Sequence, residues 1–324
     1  MSVPPAELRD PLFILATPHS SSWTLSAMCG QHPQMYAVPE LHLFVTHTIA
    51  EWLELCHPAT FQMKHGLLRA VAQLFFGEQS ESTVRQADGW LMRRSYVTTG
   101  FFLELLAEAT HPRLLVEASP SIVHQLAFME RAYLMFPQAR FLHLVWHPRA
   151  FAESVLESVG QLSRSGPLPP SHWLVQLASI SIPGEGQKHS EQLGGILDPQ
   201  GAWYCLNKNI CEFLETVPKD QKLRVCGESL RTNADEFLEQ IATWMDLRAD
   251  EAAIQLMKHP ERSPYAALGP SNAPFGTDVF LPGIPDLRFS GRVIEGLDEP
   301  LPWRSDGQRF FPEVKRLARE FGYK

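Results

Sequence analysis

The feature that narrows this chain most is a set of four short apolar runs, Leu12–Ala16, Leu114–Glu117, Phe141–Trp146 and Leu223–Cys226. Short continuous apolar runs of this kind belong to strands buried on both faces, as in parallel sheets. Parallel strands need crossovers, and the intervening sequence carries helical patterns at Leu41–Leu55, Phe61–Phe76, Tyr96–Ala109, Ile122–Met135, Ala150–Val159 and Tyr204–Thr216. Three more helices are expected at Ala234–Met245, Glu251–Lys258 and Pro312–Phe321. Strand alternating with helix defines an α/β fold, a mostly parallel central sheet flanked by helices on both faces. The 324 residues suffice for a large buried core and are read as one domain.

Two segments break the alternation. Residues 163–195 are rich in turn formers, with room for one short helix at Ser171–Ile180. Residues 259–306 hold about a third of the chain's 26 prolines and read as an ordered, irregular arm. Loops this long inside a compact domain usually act as lids or binding elements, so 163–195 is expected to be a lid.

Charge and composition exclude several classes of function. A net charge of -8 gives no global attraction to nucleic acid or to an anionic membrane. No apolar run approaches the roughly 20 residues of a membrane span, and Met1–Pro11 lacks the pattern of a secretory signal, which points to the cytoplasm. The five cysteines form no CxxC pair and the thirteen histidines no HExxH spacing, so free thiols and no metal site are expected.

The stretch "PLFILATPHSSSWTL" has the layout of a phosphate-binding strand, loop and helix, yet its loop holds no glycine, lysine or arginine. It offers His19 among Ser20, Ser21, Ser22 and Thr24. Together with "QHPQMYAVPELHLF", "LLVEASPSIVHQL", "FPQARFLHLVWHPRAFAESVLES" and "NICEFLETVPKDQKLRVCGESL", in this order, it resembles the PAPS-dependent sulfotransferases. The strings "HPERSPYAALGPSNAPFG" and "VKRLAREFGYK" are similar to the bacterial branch that includes sulfotransferase domains of polyketide synthases. The resemblance implies a P-loop-containing sulfotransferase-like fold and a donor nucleotide, PAPS, with a 3′-phosphate and a 5′-phosphosulfate.

What the resemblance implies and what stands in the sequence differ at the anion contacts. The family's first loop carries a cation facing the phosphosulfate, where this chain has His19. An arginine and a serine eight residues later grip the 3′-phosphate, and here the pair falls on Trp146 and Ser154. A lysine before the Ser/Thr-Pro dipeptide aligns with Ala118. The aromatic-Glu-Asp string appears as Gly227-Glu228-Ser229, and a loop glycine is replaced by Ser21. Hydrogen bonds to charged groups contribute about 1.5–3 kcal/mol each, so losing three removes on the order of 5–9 kcal/mol, or roughly three to six decades of affinity.

Two residues remain as catalytic candidates. Glu40, in "VPELHLF", matches a glutamate that the resemblance makes a candidate general base for an acceptor hydroxyl; it could equally cap a helix starting near Leu41. His19 could be a substitute electrophile or acid/base group, or a relic. The loop hydroxyls of Ser20, Ser21, Ser22 and Thr24, with Trp146 and Ser154, are the candidate cofactor-site residues. Trp146 either stacks on an acyl or aromatic substrate or plugs an unused pocket. Alternation turns His143 away from Leu142 and Leu144, as a satisfied core histidine, whereas His42, His47 and His147 flank the expected cleft.

Three functions follow. In the first, a sulfotransferase-fold enzyme of a polyketide-like pathway acts on an acyl chain borne by an acyl carrier protein or synthase module, with PAPS lost and chemistry changed to elimination, acyl transfer or cyclisation. In the second, PAPS is retained by substitute cations among Arg149, Lys188, Lys208 and Arg231. In the third, a non-catalytic pseudoenzyme docks a carrier protein.

Overall fold

A computed structural model of the chain describes residues 9–56, 62–164, 173–182, 197–277, 296–304 and 306–324. Its strands β1 (Leu12–Leu15), β2 (Met35–Ala37), β3 (Leu114–Glu117), β4 (Arg140–Val145) and β5 (Lys222–Cys226) form one sheet in the order β2-β3-β1-β4-β5. Every pairing is parallel. In β1, β3 and β4 the apolar runs are continuous because both faces are covered. Phe13 and Leu15 enter one core with Phe141, Val145, Trp203 and Phe213, while Leu12, Ile14 and Ala16 enter a second with Leu142, Leu144, Leu238 and Ile241. A one-residue slip of β1 would exchange the two sets, so the register is fixed by packing. Phe13 lies opposite Phe141 in the ladder, their rings stacked with centroids 5.4 Å apart.

Helices α1 (Ser22–Cys29), α2 (Ile49–Leu55), α3 (Met63–Phe76), α4 (Glu81–Met92), α5 (Thr99–Thr110), α6 (Leu126–Met135) and α7 (Pro148–Ser163) connect these strands. Later helices occupy Trp173–Ala178, Gln200–Thr216, Gly227–Thr232, Ala234–Trp244, Glu251–Met257 and Pro312–Glu320.

Several expectations change. β2 was not expected from the sequence, because three residues between Pro33 and Pro39 show no periodicity. The helix expected over Leu41–Leu55 is divided: His42 has φ 53, Leu43–Val45 forms a 3-10 turn, and α2 starts afresh at a Thr48–Glu51 capping box. The pattern at Ile122–Met135 splits likewise, because Gln125 is extended between a 3-10 stretch at Pro120–His124 and α6. An unexpected helix, α4, begins at a second capping box formed by Ser80 and Thr83.

Of the presumed lid, Trp173–Ala178 is helical, as expected within Ser171–Ile180; residues 165–172 and 183–196 lie outside the described residues. The described part of the arm is tied to α3 by the buried Arg69, which donates to the carbonyls of Phe275 (3.0 Å), Ala267 (2.8 Å) and Tyr265 (3.4 Å). Residues 278–295 of the arm lie outside the described residues. All five cysteines are free thiols. Among the described residues, no helix is long and apolar enough to cross a membrane, and no His/Cys/Asp/Glu group is arranged to hold a metal.

Three core histidines make stability depend on acid. His143 is fully buried on β4, with Nε2 2.9 Å from Asn207 Oδ1, and burial lowers it to about 3. His65 and His147 are each lowered to about 4, again chiefly by burial. Their native pKa values lie below the unfolded value of about 6.5, so between about pH 6.5 and 4 the unfolded chain binds protons that the native chain does not. Stability therefore falls as pH drops through that window, by up to about 1.4 kcal/mol per pH unit for each histidine. Urea unfolding at about pH 7 and about pH 5, above the usual carboxylate range, is expected to show a lower midpoint at the acidic value. An unchanged midpoint would contradict neutral core imidazoles.

Candidate functional site

The candidate residues gather at the carboxyl edge of the sheet. The loop after β1 carries His19, Ser20 and Ser21, the loop after β2 carries Glu40 and His42, Glu117 ends β3, and Trp146 and His147 follow β4. The chain leaves β1 toward β2 on one side and β4 toward β5 on the other, so the topological switch point lies between β1 and β4. Doubly wound sheets bind ligands in that crevice.

Here the crevice is bridged by Trp146. Its indole Nε1–H donates to the Ser20 carbonyl at 2.7 Å, and the side chain is buried. Gly227 makes the room: a Cβ there would lie 2.1 Å from Trp146 Cε2. The indole after β4 and the glycine that opens Gly227–Thr232 thus occupy one shared packing space.

The β1 loop turns inward as well. Ser20, Ser22 and Thr24 are buried, with Ser20 Oγ 2.5 Å from Thr17 Oγ1, and Ser21 is half-buried. His19 and Ser21 have φ values of 61 and 54, conformations that side chains with a Cβ rarely adopt. Burial lowers the His19 imidazole to about 4, so it is neutral at physiological pH and gives no positive charge. Ala118 is buried, and Ser154 is half-buried on α7.

The proposed substitute cations point elsewhere where they are described. Arg149 is buried and donates to the carbonyls of Pro300 (3.2 Å), Glu299 (3.2 Å) and Gly296 (3.4 Å), holding the arm. Lys208 forms an exposed pair with Glu212. Lys188 and the Arg231 side chain lie outside the described residues. Glu228 is occupied too, accepting from His147 N–H and from the Tyr323 hydroxyl, each at 2.8 Å.

The β2/β3 half of the edge is polar and connected. Glu40 Oε2 lies 3.4 Å from Nε2 of His42, and the His42 Nδ1 lies 2.9 Å from Ser121 Oγ. The histidine that pairs with Glu40 is thus His42, and because no α-helix starts at Leu41 the capping role has no helix to serve. Beneath them Ser119 Oγ accepts the N–H groups of Leu41 (2.7 Å) and His42 (2.9 Å) and donates to Glu117. Burial raises the Glu117 carboxyl, opposed by those Ser119 hydrogen bonds. The His42 carbonyl accepts from Trp52 Nε1 at 3.0 Å, and Glu40 N–H donates to the Gly276 carbonyl at 2.9 Å. His47 lies farther out, with Nε2 3.0 Å from an Arg131 guanidinium nitrogen.

Sequence reasoning missed Ser119, Ser121 and Glu117. All three lie in "VEASPSI", and the spacing of the two serine hydroxyls from the carboxylate that ends the strand was the available signal.

The sequence matches the sulfotransferase family over residues 11–251, and the chain belongs to that family. The structure is similar to the sulfotransferase domain from the curacin biosynthetic pathway, with a TM-score of 0.71 and 19% identity over 98% of this chain and 99% of that one. It is similar also to the sulfotransferase domain of the Synechococcus PCC 7002 olefin synthase, with a TM-score of 0.65 and 23% identity over 100% and 99% of the two chains. No curated protein matches the sequence.

Shared space between Trp146 and Gly227 has a thermodynamic signature. Gly227→Ala alone is expected to cost about 1–3 kcal/mol through overpacking. Combined with Trp146→Ala, it should cost much less than the two single changes added together, a coupling that a double-mutant cycle of urea unfolding measures. Strict additivity would mean that the indole does not occupy the space above Gly227.

Proposed function

We propose that this sulfotransferase-family chain serves a polyketide-type biosynthetic pathway, where it acts on an acyl substrate presented by an acyl carrier protein or synthase module, without PAPS. The observation that carries this reading is the Trp146 indole bridging the β1/β4 crevice to the Ser20 carbonyl. The residues present do not fit the donor: the crevice is spanned, His19 is neutral, and the loop hydroxyls are largely buried. A multiply anionic nucleotide needs cations at its phosphates, whereas His19 is neutral, Arg149 is bonded to the arm and Lys208 is paired with Glu212.

The acceptor half of the edge supports an enzyme rather than a docking module. A half-buried carboxylate beside an imidazole, Glu40 with His42, is a pair able to move a proton in elimination, acyl transfer or cyclisation. The pathway rests on the two similar domains, which come from the curacin pathway and an olefin synthase.

Calorimetric titration with adenosine 3′,5′-bisphosphate tests the reading. Loss of three charge-assisted contacts weakens binding by roughly three to six decades, so no saturable heat is expected below about millimolar nucleotide. Micromolar binding would overturn the proposal and return the chain to sulfo transfer.

A further inference from the structure

We infer that Ser121, His42 and Glu40 act as nucleophile, general base and positioning carboxylate, and that the chain forms a covalent acyl-Ser121 ester from an ester or thioester substrate. This rests on the reading above, that the chain works on an acyl group without PAPS, and selects acyl transfer among the reactions open to it.

The geometry supplies the three required relations. Ser121 Oγ lies 2.9 Å from His42 Nδ1, within reach for proton transfer. The opposite ring nitrogen, Nε2, lies 3.4 Å from Glu40 Oε2. With Nδ1 accepting from the serine hydroxyl, Nε2 carries the hydrogen, and the carboxylate 3.4 Å away favours the imidazolium formed during attack. The side chains are accessible but sheltered, His42 13% and Glu40 22% exposed, with Ser121 half-buried. Such constellations are recognised by roles and distances rather than chain order.

The imidazole is held in place by its own backbone. His42 has φ 53, a conformation a histidine keeps only when its surroundings impose it. They do: its N–H is bound by Ser119 Oγ, itself fixed by the buried Glu117, and its carbonyl by the Trp52 indole. Three of the four non-glycine residues with positive φ among the described residues, His19, Ser21 and His42, lie at this edge of the sheet. Strain of this kind clusters where a side chain must be aimed.

The electrophile follows from charge. A sulfuryl or phosphoryl group brings negative charge that needs cations, whereas an ester or thioester carbonyl is neutral. Ser121 Oγ attacks the carbonyl carbon as its proton passes to His42 Nδ1. The tetrahedral intermediate collapses by breaking the bond to the thiolate or alkoxide, which leaves with the proton from His42. The acyl-serine is then resolved by water or by a hydroxyl of the substrate, deprotonated by the same imidazole.

A fluorophosphonate probe, which loses fluoride to an activated serine, tests this on the full chain, with the adduct mapped by mass spectrometry. One adduct per chain is expected, on Ser121, and none in Ser121→Ala. His42→Asn removes the base while keeping a residue that tolerates positive φ, and the clamp is made by backbone groups, so the fold is retained. It should slow labelling at least about a hundredfold. Glu40→Gln should slow it less, with partial recovery in Glu40→Asp. No adduct on the folded wild-type chain, an adduct elsewhere, or wild-type labelling in His42→Asn would overturn the inference. The labelling does not depend on the nucleotide: micromolar bisphosphate binding with an intact Ser121 adduct would sink the donor-free reading alone, whereas no adduct and no nucleotide binding would sink the serine alone.

Discussion

The hydrogen bond from the Trp146 indole to the Ser20 carbonyl governs how this edge of the sheet is organised. A buried indole N–H needs an acceptor, and a buried carbonyl in the loop after a strand needs a donor. Each satisfies the other across the gap between β1 and β4. The indole is a neutral donor, so it fills this position without adding charge, and Gly227 leaves the volume that the indole takes up. Hydrogen bonding and space are thus balanced across the gap.

The consequence is a division of the sheet edge into two chemically different halves. On the β1/β4 side, polar groups are turned toward one another: Ser20 to Thr17, Glu228 to His147 and Tyr323, Arg149 to the arm. On the β2/β3 side, Glu40, His42 and Ser121 remain in sequence and partly open to solvent, over a buried Glu117–Ser119 base. The charged groups of the first side are engaged in internal contacts, whereas Glu40 and His42 stay partly open to solvent. An electrostatic site built to stabilise developing charge needs preorganised dipoles more than net charge. The clamped His42 backbone provides that order.

The sequence shows the central strands and the donor-side losses because both are local. An apolar run with both faces covered is readable residue by residue, and so is a tryptophan where the resemblance implies an arginine. The acceptor side was hidden by one short strand. β2 pairs with β3 so that Ala37 stands opposite Val116, and this pairing alone brings residues 40–42 beside 119–121. Without β2, Glu40 and His42 read as the start of a helix running to Leu55. The positive φ of His42, which interrupts that helix, arises from tertiary contacts with Ser119 and Trp52 that no local propensity encodes.

The arrangement also changes what the empty protein must tolerate. A pocket for a polyanion keeps cations close together and donors unpaired until the ligand arrives, at a cost to stability that binding offsets. Here the positions that would carry that cost are filled by apolar or mutually bonded groups: Ala118 is buried among core side chains, and Glu228 secures Tyr323 near the chain's C-terminal end to the carboxyl end of β4. Strain persists at His19, Ser21 and His42. At His42 it is supported by hydrogen bonds to both backbone groups, whereas the Ser21 side chain makes no capping bond to α1. Strain that is over-determined by its surroundings marks a side chain the fold keeps aimed, and the one it aims lies between a carboxylate and a hydroxyl.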